Sequence, residues 1–171
     1  MSSSYTTVLV GTDGSESSFL AVDRAARVAR DSGATLLLVT AYRPMSAREV
    51  QDARDALGDE AYKVSGSTPA EDVLRDAADR ARAFGADKVE TLAVEGDPVD
   101  ALIATVDSRG VDLLVVGNRG LNSLAGRLLG SVPANITHKA ACDVLIAHTT
   151  GKTSGKTSGK GTTTGKGTRK S

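Results

Sequence analysis

The sequence predicts an α/β domain built on a doubly wound, five-stranded parallel sheet, and three observations carry that prediction. Five short apolar runs alternate with segments of helical period. Four of those runs are nearly continuous rather than alternating, as suits strands covered on both faces. Helix-start signals stand between the runs.

Taken in order, the first run is Thr7–Gly11 (TVLVG). Glu16–Ser32 follows, with Phe19, Val22, Ala26 and Ala29 at helical spacing. The second run is Thr35–Ala41. The stretch from Tyr42 to Ser67 is too long for a simple turn, and Ser46-Ala47-Arg48-Glu49 inside it has the form of a capping box. A short extra helix is expected there, either a lid over the sheet's carboxyl edge or a plain surface helix. Thr68-Pro69-Ala70-Glu71 is a second capping box with proline at the first helical position. It opens a helix that turns Val73, Leu74, Ala77, Ala81 and Phe84 inward. The third run, Val89–Val94, alternates more and belongs nearer an edge. Asp97-Pro98 starts a helix with Val99, Leu102, Ile103 and Val106 on one face. The fourth run is Val111–Gly117. A last helix begins near Ser131, because Pro133 fits only a first turn. Asp143–His148 is the fifth run.

From Thr149 to Ser171 the only residues are Gly, Ser, Thr, Lys and Arg. Such a stretch cannot form a core. Residues 1–148 therefore read as one domain, of the usual size of about 150 residues, and 149–171 as a disordered basic tail. Folding and ligand binding are expected not to need that tail. The zero net charge is a cancellation: six of the 21 basic residues stand in the tail and all 21 acidic residues before it, which leaves the domain at −6. A domain of that sign is a poor binder of nucleic acid, and no sequence-specific contact with it is expected. Cys142 is the only cysteine, so no internal disulfide forms, and with His138 and His148 it makes no recognisable metal spacing. No run approaches the ~20 apolar residues of a membrane span, and Met1–Thr7 is too polar for a signal peptide. A cytoplasmic protein is expected.

Ligands of open α/β sheets bind beyond the carboxyl ends of the strands, where the strand order reverses. Gly11-Thr12-Asp13-Gly14-Ser15 directly follows the first run, and Gly117-Asn118-Arg119-Gly120 ends the fourth and continues to Gly130-Ser131. The second segment is Gly, two residues, Gly, nine residues, Gly-Ser. Glycines let the backbone bring N–H groups against a phosphate, and a helix that starts at Ser131 points its positive end at the same anion. Arg119 and Arg127 add charge. Singly, each glycine is more often a turn; three at this spacing, between a buried strand and a helix, favour phosphate.

The loop has no Gly-Lys-Ser/Thr, so it is not a Walker-type site, and Gly-x-Gly-x-x-Gly does not follow the first run. No nucleophile and base pair up. His138 reads as a helix-surface residue and Cys142 as a small core residue. Asp13 has three readings: a cap for the following helix, a partner for a ribose hydroxyl, or a holder of magnesium. A response-regulator receiver would also place an acid there, but it needs a phospho-accepting Asp where the third run ends in Val94-Glu95-Gly96-Asp97, whose Asp97 reads as a cap, and a lysine where the fifth ends in Ala147-His148.

At this point the residues resemble the universal stress protein family. The resemblance runs from Tyr5 to His148. It rests on Val8–Ser15 (VLVGTDGS), Asp112–Gly120 (DLLVVGNRG) and Gly130-Ser131-Val132. The family's pattern for ATP, Gly-x2-Gly-x9-Gly-Ser/Thr, is complete. Leu128–Asn135 (LLGSVPAN) and Ser65-Gly66 look most like small actinobacterial members that bind cyclic AMP. The resemblance implies a Rossmann-like sheet of order 3-2-1-4-5 with helices on both faces, and a homodimer through the last strand, Val144, Leu145, Ile146 and Ala147. It implies that Gly11, Thr12 and Asp13 meet the ribose or phosphate side, that backbone near Ala41 meets adenine, and that Gly117, Asn118, Arg119, Gly120, Arg127, Gly130, Ser131 and Val132 surround phosphate. Asn118 stands where the family usually has Ser, and the tail has no counterpart in the pattern.

The expected function is an adenine-nucleotide-binding module of stress response or signalling, with cyclic AMP or ATP as ligand. Slow ATP hydrolysis, or phosphoryl or adenylyl transfer on the same loop, is the alternative; the missing lysine and base oppose it. The intact loop opposes a purely structural domain. ATP brings about three more negative charges than cyclic AMP into an acidic domain. The loop offers only Arg119 and Arg127 against them, with magnesium at Asp13 as the remaining source of positive charge. Cyclic AMP is therefore expected to bind at least as tightly as ATP.

Overall fold

A computed structural model describes residues 5–58, 68–118 and 131–149. Its sheet is parallel throughout, with β1 (Thr7–Gly11), β2 (Thr35–Tyr42), β3 (Val89–Glu95), β4 (Leu113–Gly117) and β5 (Asp143–Ala147) in the order β3-β2-β1-β4-β5. The helices between them are α1 (Glu16–Ser32), α2 (Ala47–Leu57), α3 (Thr68–Ala83), α4 (Pro98–Arg109) and α5 (Ser131–Lys139).

The period of two along the central strands feeds two cores. Val8, Val10, Leu36, Leu38, Leu113 and Val115 face α1 and α3. Leu9, Leu37, Val39, Leu114 and Val116 face α4 and α5. This two-sided burial is why the runs in β1, β2 and β4 are continuous. The α1 and α3 side is rich in alanine, including Ala21, Ala25, Ala26, Ala77 and Ala81.

Polar residues decide several boundaries. Ser15 caps α1 by accepting from Ser18 N, and Gly33 closes it in the left-handed region at φ 66°. Ser46 and Glu49 form the full capping box of α2, and Asp97 caps α4 through Val99 N at 2.9 Å. The capping bonds expected of Thr68 lie outside the described residues. Strand β4 begins at Leu113, two residues later than its apolar run. Asp112 N donates to Thr7 O at 3.2 Å and Asp112 O accepts from Asp143 N at 3.3 Å, while its carboxylate accepts from Thr6 N, Thr6 Oγ1 and Thr7 N at 2.8, 2.7 and 3.1 Å. Burial pushes that carboxyl up, but the bonds from Thr6 and Thr7 outweigh it and hold its pKa below the usual value.

Both edges are only half covered. The alternation in β3 reflects an edge, as expected. The β5 run is as apolar as a buried strand, yet only Ala147 is buried; Val144, Leu145 and Ile146 are half-exposed. Continuous burial fails there because β5 has a neighbour on one side only. Helix α2 buries no residue at all.

Across the alanine face, Asp23 of α1 receives Arg80 of α3 in a two-pronged ion pair, Nε to Oδ1 at 2.5 Å and Nη2 to Oδ2 at 2.9 Å. The Arg80 guanidinium lies 5.4 Å from the centre of the Phe19 ring. Phe19 thus sits under a cation rather than deep in the core.

Candidate functional site at the carboxyl edge

The strand order reverses between β1 and β4, whose residues pair from Val8 with Leu113 to Val10 with Val115. Beyond their carboxyl ends lies the crevice where such sheets take ligands. Gly11 and Gly117 end these two strands, so the two glycine-bearing segments start side by side.

The first segment is braced internally. Thr12 is buried, its N–H bonded to Val39 O at 2.9 Å and its carbonyl accepting from Thr40 Oγ1 at 2.9 Å. Its hydroxyl lies 2.8 Å from Ser18 Oγ and accepts from Gly14 N at 3.2 Å. Gly14 turns the chain at φ 79°, and a Cβ there would stand 2.8 Å from Val73 Cγ2. Glycine is required on both counts.

Asp13 does not cap α1, since Ser15 holds that position. It closes the turn ahead of the helix instead, with Oδ1 accepting from Ser15 N at 2.9 Å. Burial pushes its carboxyl up, but hydrogen bonds with Ser15 and Ser18 outweigh that and lower its pKa. Asp13 is therefore ionised at neutral pH, at the mouth of the crevice.

The second segment is described up to Asn118. Asn118 N donates to Ala147 O at 2.8 Å, which prolongs the β4 and β5 pairing by one step. Its Oδ1 accepts from Thr149 N at 2.8 Å and Thr149 Oγ1 at 2.7 Å, and its Nδ2 lies 3.3 Å from His148 Nδ1. Arg119, Gly120, Arg127, Gly130 and the Ser131 side chain lie outside the described residues. Helix α5 opens at Ser131 itself, with Pro133 in its first turn, and Val132 packs against the core on the α5 side. Ala41 stands one residue from the end of β2, paired with Val94. Nearby, Arg43 reaches Asp97 at 3.5 Å.

Three residues at this edge carry no glycine or charge to mark them. Ser17 Oγ donates to Thr149 Oγ1 at 2.7 Å, and Ser18 braces Thr12. Thr149 stands first in the low-complexity stretch, yet it is only 6% exposed and joins α1 to Asn118. The spacing Ser15-x-Ser17-Ser18 after Gly14 was the available signal for the serines; nothing local marked Thr149.

His138 and His148 are exposed. Burial pushes the Cys142 thiol up, away from the reactive thiolate. Among the described residues no three His, Cys, Asp or Glu side chains converge to hold a metal ion, and no helix is long and apolar enough to cross a membrane.

Comparison with known proteins agrees with this architecture. Residues 4–148 match the model of the universal stress protein family. Universal stress protein Rv1636 of Mycobacterium tuberculosis is 53% identical over 148 residues, covering 86% of this chain and 99% of its own. A crystal structure of a universal stress protein in complex with cAMP superposes with a TM-score of 0.66 at 48% identity, over 85% of this chain and 98% of that one. The protein UspA from Lactobacillus plantarum, at 23% identity and a TM-score of 0.68 over 84% of this chain and 98% of its own, shares the fold. The glycine loops, the sheet order and these matches over the whole folded part agree: the chain belongs to the universal stress protein family.

Proposed function

We propose that this protein is an adenine-nucleotide-binding module of stress response or signalling that works in the cytoplasm. The reading rests on one observation above others: two glycine-bearing segments leave adjacent strands at the crevice where strand order reverses. Gly117, Gly120, Gly130 and Ser131 would offer N–H groups to phosphate, with Asn118, Arg119, Arg127 and Val132 around them. Asp13, between Gly11-Thr12 and the first turn of α1, would take a ribose hydroxyl or a magnesium ion carried by ATP. Backbone near Ala41 would meet adenine. The relative solved with cAMP, at 48% identity, supports a cyclic nucleotide as the first ligand to test.

Binding rather than turnover is the reading, since the loop lacks the phosphate lysine of a Walker-type site. The working unit would be a homodimer through Val144–Ala147. That strand is half-exposed, and beside it α1 and β5 enclose an open groove of about 470 Å³ between Leu20, Arg24 and Arg27 and Leu145, Ile146 and Ala147. Isothermal calorimetry with cyclic AMP tests the assignment. Wild type should bind, and Gly130→Val, which puts two methyl groups where phosphate would approach, should bind far more weakly with an unchanged circular dichroism spectrum. Equal affinity in the two proteins would put the site elsewhere.

A further inference from the structure

Composition groups Thr149 with the residues that follow it, but its contacts belong to the domain. It is buried, its N–H and its hydroxyl donate to Asn118 Oδ1 at 2.8 and 2.7 Å, and the hydroxyl accepts from Ser17 Oγ at 2.7 Å. The hydroxyl thus uses its proton and a lone pair at once. A backbone N–H only donates, so the amide oxygen of Asn118 faces Thr149 and its NH2 group faces His148 Nδ1, 3.3 Å away. The side chain of Asn118 is held in one orientation.

The two ends of this bridge lie on the two segments that start side by side at the crevice. Ser17 stands in the first turn of α1, directly behind Asp13, Gly14 and Ser15, and Asn118 follows Gly117, the last residue of β4. Asn118 N is spent on Ala147 O at 2.8 Å. Across a trans peptide the Gly117 carbonyl points the opposite way, away from β5 and to the crevice side. The setting of that peptide follows Asn118, and Asn118 is held by Thr149.

We infer that Thr149 is a positioning residue of the nucleotide site: through Asn118 and Ser17 it fixes the end of β4 against the first turn of α1, and with it the setting of Gly117 against Asp13. The inference rests on the crevice being a nucleotide site. Thr149 touches no ligand in this role. With all three bonds made, the bridge has one arrangement. Without the hydroxyl, Ser17 Oγ and Asn118 Oδ1 each lose a partner, and both side chains sample other orientations. A ligand that needs one setting then binds more weakly by the fraction of molecules that hold it; a competent fraction of about one third to one tenth weakens binding about three- to tenfold.

The test titrates cyclic AMP into the full chain and into full-length Thr149→Val, Thr149→Ser, Ser17→Ala, Ser17→Ala/Thr149→Val and Gly33→Ala, at a temperature where all are folded. Thr149→Val keeps the shape and loses the hydroxyl, and should bind about three- to tenfold more weakly. Thr149→Ser keeps the hydroxyl and should stay within about twofold of wild type. Ser17→Ala should lose less than Thr149→Val, and the double variant should bind no more weakly than Thr149→Val, because that change already severs the Ser17 link. Gly33→Ala, destabilised away from the crevice, should bind as wild type does. The Asn118 side-chain amide in nitrogen-15 spectra reads the bridge without ligand: its resonances should move in Thr149→Val and hold in Thr149→Ser. Unchanged affinity in Thr149→Val overturns the inference, as does an equal loss in Thr149→Ser, additive losses for Ser17 and Thr149, or a matching loss in Gly33→Ala, which would tie affinity to stability alone. If the wild type binds no cyclic AMP while the Asn118 resonances respond as expected, the bridge stands but the nucleotide reading of the crevice falls, and the positioning role with it.

Discussion

Gly14 offers a test that separates backbone strain from packing. It and Gly33 both lie in the left-handed region, at φ 79° and 66°. An L side chain there costs about 1–2 kcal/mol. A Cβ on Gly33 would meet nothing within 4 Å, whereas on Gly14 it would stand 2.8 Å from Val73 Cγ2. Overpacking of that kind adds about 1–3 kcal/mol. Gly33→Ala should therefore cost about 1 kcal/mol, net of the unfolded-state gain, and Gly14→Ala about 2–4 kcal/mol. Urea unfolding reads both as shifts in midpoint at constant slope. Adding Val73→Ala to Gly14→Ala should recover part of the loss, giving a coupling of about 1–2 kcal/mol. The loop reports the same event, since Gly14 N bonds Thr12 Oγ1. Cyclic AMP affinity should fall in Gly14→Ala and hold in Gly33→Ala. Equal costs for the two alanines, with no coupling to Val73, would refute the reasoning.

Three further outcomes are expected. Asp23→Ala strands the Arg80 guanidinium and should cost about 2–3 kcal/mol, tempered by the partial exposure of Arg80, while Asp23→Leu/Arg80→Met should cost less than the single change; thermal unfolding of the set decides. The lowered pKa of Asp112 means that its contribution is present above the ordinary carboxylate pKa of about 3.9 and is lost as pH falls through the lower folded value. The stability gap between wild type and Asp112→Asn should accordingly be widest near neutrality and narrow below about pH 4 in acid titrations. Ile146→Lys places a charge on the half-exposed β5 edge and should turn a dimer into a monomer by light scattering; a wild type that is already monomeric at micromolar concentration would remove the basis for the β5 interface.

The fold was legible because burial on both faces writes itself as continuous apolar runs, and because serine, aspartate and proline mark helix starts by local bonds. Glu16–Ser32 matches α1 residue for residue on that basis. What was not legible depends on partners distant in the chain. Asp112 sits in an apolar run, but its role is to clamp Thr6 and Thr7 across 105 to 106 residues. Asp23 interrupts the apolar face of α1, and only Arg80, 57 residues on, explains its burial. At the site, glycine spacing marked Gly11 to Asp13 and Gly117 to Ser131, but the bracing by Ser17, Ser18 and Thr149 needs three dimensions. The β5 run is as apolar as the buried strands although it lies at an edge, because apolarity alone does not record whether a strand has a neighbour on both sides.

Helix α2 buries no side chain, yet it closes its own ends, the first with a full capping box and the last with Gly58 N donating to Arg54 O. Its fold is written locally, and its outward surface owes nothing to the core. Residues 47–57 can therefore diverge between related proteins far faster than the sheet, and they can be rewritten by design. A fluorophore attached at the exposed Arg54 would cost the domain little stability.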